Sequence, residues 1–413
     1  KKVEQLEIAG LAIGFSVAVL LIFKKYNMGL SLFIGATILS FFSGFGIQDM
    51  FQHIIMTLKD PTAVQLMLVV SLISGLGYLM DLTGDMRRMI ESCIAIFKDG
   101  RILSMLLPAL IGTLSAPGGA ILSAPMVNES GDKIGINNNH KTAVNLFFRH
   151  IGYFVYPLFS SIIIASSILE KSAFSIIKYN IFIMFSGLIV AYFIFFRKSK
   201  HEKNNKDKKN ILKNIKIFFK SFLPIFVALL LALGLKVYFP LAILFGVITA
   251  ILNDRPQNDK MKIYKNRINK FFKEGIKYNL VLIILGVMIF KTVLENSGVI
   301  TILAEGLASL GLPLILVVIV LGFISGYVTG VHMAATGILL AIFVPLFPSG
   351  VEGPYISLLF TSIILGYLVS PLHLCLALTA DYFSADLKKV YGLLFFPISS
   401  MIAAGVTQII FFS

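Results

Sequence analysis

The sequence predicts an all-α polytopic membrane protein made of two inverted repeats, each with five spans, one re-entrant hairpin and one broken helix. Three observations carry that expectation. Of 413 residues, 57% are hydrophobic and only 14% charged, where soluble domains run about 45–50% and about 25%; the mean hydropathy is +0.88. Apolar runs of spanning length recur along almost the whole chain. A Gly-Tyr-x-Val-x-Pro-Leu motif occurs twice, 214 residues apart. Collagen-like, disordered and disulfide-stapled classes are excluded. Cys93 and Cys375 lie far apart without zinc-like Cys/His spacing, so no metal site is expected.

The elements follow from length. A hydrocarbon core of about 30 Å needs about 20 helical residues. The first half supplies Leu6–Phe23, Met28–Phe45, Ala63–Met80, Ala143–Leu169 and Phe174–Phe196. The second supplies Phe222–Leu235, Phe239–Leu252, Asn279–Glu295, Ile356–Ala380 and Tyr391–Phe412. The run Leu6–Phe23 reads as a span rather than a signal peptide, because no small-residue cleavage site follows it. Two stretches, Ile102–Val127 and Leu312–Phe347, are interrupted by Gly, Pro, Ser and Thr and read as re-entrant hairpins.

Charge tests this arrangement. The net charge of +15 is distributed in blocks: ten Lys/Arg lie in Arg197–Lys220, eight in Arg255–Lys277, and none from Thr292 to Leu387. Blocks are what the positive-inside rule produces, not a nucleic-acid surface. With the 197–220 linker in the cytoplasm and both hairpins entering and leaving on one side, every basic loop falls inside. The expected location is therefore the cytoplasmic membrane, with the linker solvated at the inner lipid surface and anionic lipid as its contact.

The repeat is internal to the sequence. Gly152–Leu158 matches Gly366–Leu372 at five of seven positions. The same offset of 214 pairs Leu79, Asp81 and Gly84 with Val293, Glu295 and Gly298, whereas Gly112 and Ser115 align with Gly322 and Ser325 at an offset of 210. The element order also matches, which divides the chain into residues 1–196, the basic linker 197–220 and residues 221–413. The hairpins occupy 102–127 and 312–347, the broken spans 143–169 and 356–380. An odd number of crossings per copy inverts the second copy. Inverted repeats with discontinuous helices are a transporter signature, although Gly and Pro can also merely kink packed membrane helices.

The chemistry concentrates at four breaks. At the first hairpin tip, Ser115, Pro117, Gly118, Gly119 and Ser123 suit a new helix N-terminus, whose open amides attract negative charge. The second tip offers Ser325, Thr329, Gly330 and His332. In the broken spans, Tyr156-Pro157 and Ser370-Pro371 each read as a flank or N-cap followed by Pro at the first helical position, and Ser370 could be a cap alone. Ionisable groups inside spans are costly and hence functional candidates. Arg149 is the sharpest, a planar cation able to hold a carboxylate through two hydrogen bonds, with snorkelling to the interface as its bland alternative. His150, His332, His373 and Asp381 are the coupling candidates, against packing or capping roles. No Asp or Glu lies mid-span near a break. That absence tilts the site towards an anion.

At this level the chain resembles the ion transporter superfamily, which includes gluconate, lactate, citrate, dicarboxylate and arsenite permeases. The tip Ser115–Pro125 and the motif Gly152–Pro157 are closer still to an uncharacterised bacterial and archaeal membrane family placed in that superfamily. The resemblance covers nearly the whole chain and implies two inverted halves, tips that meet broken spans, an elevator-like or rocking motion and a homodimer. It places tip roles on Ser115, Gly118, Gly119, Ser123, Ser325, Thr329 and Gly330, and broken-span roles on Tyr156, Pro157, Ser370 and Pro371. Sodium-coupled dicarboxylate relatives carry Ser-Asn-Thr at their tips, whereas this chain has Ser-Ala-Pro and Val-Thr-Gly.

The expected function is a secondary active transporter, a symporter of a small organic anion, most simply a carboxylate, with protons or sodium. No cofactor is expected beyond a sodium ion that Ser, Thr and backbone carbonyls could hold. A cation/proton antiporter on the same fold is the alternative and needs Asp381 buried. An enzyme is not expected, since no Ser/His dyad, paired membrane Asp or His-Glu-x-x-His pattern is present. His140, in the polar loop Gly131–Thr142, reads as a solvated structural residue.

Overall fold

The computed structural model describes residues 2–24, 26–97, 99–113, 119–200, 211–235, 237–253, 260–299, 302 and 312–412, and these are helical without a strand. Six segments are long and apolar enough to cross a membrane: Pro61–Leu82, Ala173–Phe196, Ile211–Ala232, Tyr278–Asn296, Glu352–Tyr382 and Leu387–Phe412. The chain is thus a multi-pass membrane protein. Its lipid-type surface agrees, with Phe41, Phe193 and Phe411 exposed by 77%, 64% and 82%, values unsuited to water but suited to acyl chains.

In chain order the first part contains α1 (Lys2–Phe23), α2 (Met28–Phe42), the amphipathic α3 (Ile47–Lys59), α4 (Pro61–Leu82), α5 (Asp85–Ile96), α6 (Gly100–Gly112), α7 (Gly119–Lys133), α8 (Asn138–Ile151), α9 (Ser160–Ile168) and α10 (Ala173–Phe196). The second contains α11 (Ile211–Leu229), α12 (Phe239–Leu252), α13 (Lys260–Lys270), α14 (Tyr278–Asn296), α15 (Leu314–Thr329), α16 (His332–Phe343), α17 (Glu352–Val369), α18 (Leu374–Tyr382) and α19 (Leu387–Phe412). Caps set several starts: the Asp60, Asp99 and Asn137 side chains accept from the Thr62, Arg101 and His140 amides.

Several boundaries differ from expectation. The helix α11 begins at Ile211, ten residues before the expected second copy, so the latter part of the 197–220 linker is helical. Residues 201–210 lie outside the described residues. Three expected spans are helices of only 14–17 apolar residues, Leu6–Ile22, Met28–Phe42 and Phe239–Leu252. The helix α6 has 13 residues, about 20 Å at 1.5 Å per residue, and cannot cross on its own. Asp85, expected at an interface, is 1% exposed; Arg88 and Asn253 satisfy its carboxylate.

The apolar core falls into two clusters. One joins α1–α6, α9, α11, α12 and α14–α16; the other is built on α7, α8, α10 and α17–α19. Packing across the chain comes in matched pairs: α2 with α14 and α4 with α12, α9 with α16 and α7 with α18, α8 with α19 and α10 with α17. Backbone specials are matched too. Gly84 (φ +76) and Gly298 (φ +74) are 214 residues apart, as are Glu170 (φ +51) and Ser384 (φ +48). A Cβ on Gly112 would meet the Arg149 carbonyl oxygen at 2.0 Å, and one on Gly326 would meet that of Ile363 at 2.1 Å. Gly326, not Gly322, therefore corresponds to Gly112, and the offset of 210 gives way to 214; the backbone approach demands glycine where the composition of an apolar stretch does not.

Candidate functional site

Both broken spans stop in the same way. The helix α8 ends at Ile151 and gives one 3-10 turn, Gly152–Phe154. A turn follows in which the Phe159 amide donates to the Tyr156 carbonyl at 2.9 Å, and α9 starts at Ser160 with Phe159 as N-cap. In the second span the His373 amide donates to the Ser370 carbonyl at 3.0 Å, and α18 starts after the N-cap His373. Pro157 and Pro371 are thus second residues of turns, three positions before each new helix. This corrects the expectation of Pro at the first helical position. The fixed proline φ suits that turn position as well as a helix start, and local sequence does not separate the two.

Four polar residues converge where these breaks meet. Arg149 and His150 end α8 and are each 2% exposed; His373 is 2% and His332 8% exposed. The His150 ring lies 4.6 Å from that of His373, and Tyr367 bridges His373 at 4.0 Å and His332 at 4.9 Å. Tyr153 stacks on Phe159 at 3.7 Å, and Phe159 lies 4.7 Å from His332. His332 Nδ1 is hydrogen-bonded to Ser161 Oγ, so the second tip is tied to the first broken span. The Arg149 charge acts on Tyr153, Tyr367 and His373, yet its Nε and Nη1 have no hydrogen-bond partner among the described residues. No carboxylate forms an ion pair with it among those residues. Snorkelling does not describe this arginine, because its side chain is enclosed.

The tips differ from the cluster. Gly330 ends α15 in the left-handed region (φ +60), and its amide donates to Gly326. A Cβ there would meet Leu372 Cβ at 2.6 Å, which seats the second tip on the second break. The Thr329 hydroxyl donates to the Ser325 carbonyl at 2.7 Å and accepts from the Val331 amide at 3.2 Å. The Ser370 hydroxyl donates to the Tyr327 carbonyl at 2.5 Å and accepts from the Leu372 amide at 3.2 Å. Those two hydroxyls are engaged in holding the turns. Ser325 is buried, its hydroxyl lacks a partner among the described residues, and it borders an apolar groove against α1. At the first tip, Gly119 opens α7, and Ser123 donates to the Ala120 carbonyl at 3.2 Å. Asn145 crosses from α8 to the same Ala120 carbonyl and to Thr379 at 3.2 and 3.1 Å. Ser115, Pro117 and Gly118 lie outside the described residues.

The structure thus brings together Arg149, His150, His332 and His373 and leaves the other candidates around them. Tyr156 instead lines a cavity of about 160 Å³ with Thr113, Leu158, Asp81 and Lys277, between α4 and the first break. Asp381 is exposed, so it is not the buried carboxylate that the antiporter alternative needs. Residues not singled out from the sequence, Tyr153, Ser161, Tyr367 and Cys375, complete the cluster. The motif Gly152–Leu158 and its second copy contain both tyrosines, a signal that was there to read; nothing local marks Ser161 or Cys375. Outside the membrane, partial burial and the nearby Arg197 and Lys198 charges hold His140 below its ordinary value.

The protein-family profile described as "Protein of unknown function (DUF401)" matches residues 7–411. No curated protein matches the chain.

Proposed function

The chain belongs to the DUF401 family, and from that premise we propose that it is a secondary active transporter of a small organic anion, of the carboxylate class, across the cytoplasmic membrane. One observation carries the reading: Arg149 is buried with open N–H groups and no carboxylate partner among the described residues. An isolated buried cation is costly, and a transported oxyanion would supply the missing charge and acceptors.

The matched packing pairs and the common spacing of Gly84/Gly298, Glu170/Ser384 and Gly112/Gly326 support two inverted repeats, residues 1–196 and 221–413. Crossed contacts, in which α9 packs on α16 and α7 on α18, support tips that meet the broken span of the other half, as the ion transporter superfamily resemblance implies. The cavity reaching Tyr156 from the Asp81 and Lys277 end is the proposed cytoplasmic route. Coupling is to protons or sodium.

The test is a thermal-shift screen of the purified protein against small carboxylates, across pH and with or without sodium. A ligand that prefers the native state raises apparent stability. The expected result is a carboxylate that stabilises the wild type and not Arg149→Ala, with its pH and sodium dependence identifying the coupling ion. Stabilisation by sodium or lithium alone, every carboxylate being silent, would overturn the reading in favour of cation exchange.

A further inference from the structure

The same region holds a donor set of a different kind. His150 Nδ1 lies 2.6 Å from the Leu146 carbonyl oxygen, and His373 Nδ1 lies 3.3 Å from that of Leu368. A carbonyl only accepts, so each Nδ1 carries its hydrogen and, in the neutral ring, each Nε2 presents a lone pair. Both Nε2 atoms are buried without a hydrogen-bond partner among the described residues. Cys375, in the first turn of α18, is buried and not in a disulfide. One ligand atom from each of His150, His373 and Cys375 lies within 4.8 Å of the other two.

We propose that His150, His373 and Cys375 bind one transition-metal ion of the zinc class. The arrangement matches how proteins prepare such ligands, with one ring nitrogen fixed on a backbone carbonyl and the other left as the metal donor. Two imidazoles and a thiolate suit zinc, whose bonds of about 2.0–2.3 Å set tetrahedral ligand atoms roughly 3.3–3.6 Å apart. Closing the observed spacing therefore takes about 1 Å, within reach of side-chain rotation. On binding, the Cys375 thiol loses its proton to solvent and a sulfur–metal bond forms, while the imidazoles bind neutral. The thiolate cancels one of the two metal charges. The remaining charge, with Arg149 nearby, favours an anion such as chloride or hydroxide as the fourth ligand. Three protein ligands with an open fourth position are the pattern of a working rather than a purely structural zinc site. The inference stands on these three side chains and does not require the transport reading.

The experiment uses the full-length protein, stripped of metal in detergent and titrated with Co²⁺ as a spectroscopic probe, then with Zn²⁺ in competition. One equivalent of Co²⁺ is expected to give four-coordinate bands with a thiolate-to-cobalt charge-transfer band. Cys375→Ser removes that band, His150→Gln and His373→Gln weaken binding by on the order of 100-fold, and Cys93→Ser leaves it unchanged. A second measurement needs no variant: one equivalent of Zn²⁺ slows alkylation of Cys375 but not of Cys93, read by mass spectrometry of the two peptides. Absence of the charge-transfer band from the wild type, its survival in Cys375→Ser, or equal alkylation with and without Zn²⁺ overturns the site. A carboxylate screen without a hit sinks the transport reading and leaves these outcomes unmoved.

Discussion

Replacing Arg149 with Met should stabilise the unliganded protein while abolishing its response to anions. The guanidinium is 2% exposed, and its Nε and Nη1 lack partners among the described residues. Each unsatisfied buried donor costs about 1–3 kcal/mol, so two cost about 2–6 kcal/mol, before the cost of the charge itself. Methionine keeps an unbranched chain of similar reach and adapts to irregular cavities. Loss of the packing made by the arginine stem offsets part of the gain, since removing two or three buried methylene equivalents costs about 0.8 kcal/mol each. A net stabilisation of about 1–4 kcal/mol remains, the range seen when buried ionic groups give way to apolar ones. At roughly 2–4 °C per kcal/mol, the apparent midpoint should rise by several degrees. The wild type at 100 times the dissociation constant of its anion gains about 2.7 kcal/mol, and the variant gains nothing. Both numbers come from one assay, thermal unfolding in detergent with and without the stabilising carboxylate. A midpoint that falls by several degrees in Arg149→Met without ligand, or a ligand shift that persists in the variant, would refute the reasoning.

Other outcomes follow from the same contacts. Gly112→Ala and Gly326→Ala place a Cβ about 2 Å from a backbone oxygen and should cost about 1–3 kcal/mol through forced helix separation; Gly392→Ala, which meets nothing within 4 Å, should gain up to about 1 kcal/mol from helix propensity, and thermal midpoints of the three variants check the contrast. Asn180→Ala strips the partner from the Phe154 carbonyl and the Ser357 hydroxyl and should cost about 1–3 kcal/mol, read as faster proteolysis at fixed temperature. Asp381→Asn should leave ion-dependent stabilisation and uptake unchanged, because the carboxylate is exposed; loss of uptake in this variant would revive cation exchange. His140 is held below its ordinary value of 6.5, so the unfolded chain binds its proton first. Stability from this group is present above pH 6.5 and falls as the pH drops below it, and His140→Gln should flatten that part of the pH profile of the melting midpoint.

How much of this was legible beforehand differs by level. The membrane class was legible because lipid imposes a local requirement: each spanning helix must be apolar along its own length and satisfy its own backbone. Six of the expected spans coincide with long apolar helices. The breaks were legible for the same reason, since Gly152-Tyr153 and Ser370-Pro371 interrupt otherwise continuous runs. Their inner geometry was not, because the proline ring satisfies a turn and a helix start equally well.

The site itself was decided by tertiary packing. Arg149 and His373 are candidates from sequence alone, but their convergence depends on how closely helices approach, and that is set by glycines such as Gly112 and Gly326 against facing carbonyls. A one-dimensional pattern reports whether a side chain is apolar or charged. It does not report which partner 200 residues away will face it. That is why Cys375, an ordinary apolar-run residue by sequence, stands beside His150 and His373, and why Asp381, equally distinctive in the sequence, ends exposed at a helix terminus. Composition and local periodicity determined that this chain lives in a membrane and where its helices stop; only the packing of one half against the other decided which polar groups those stops enclose.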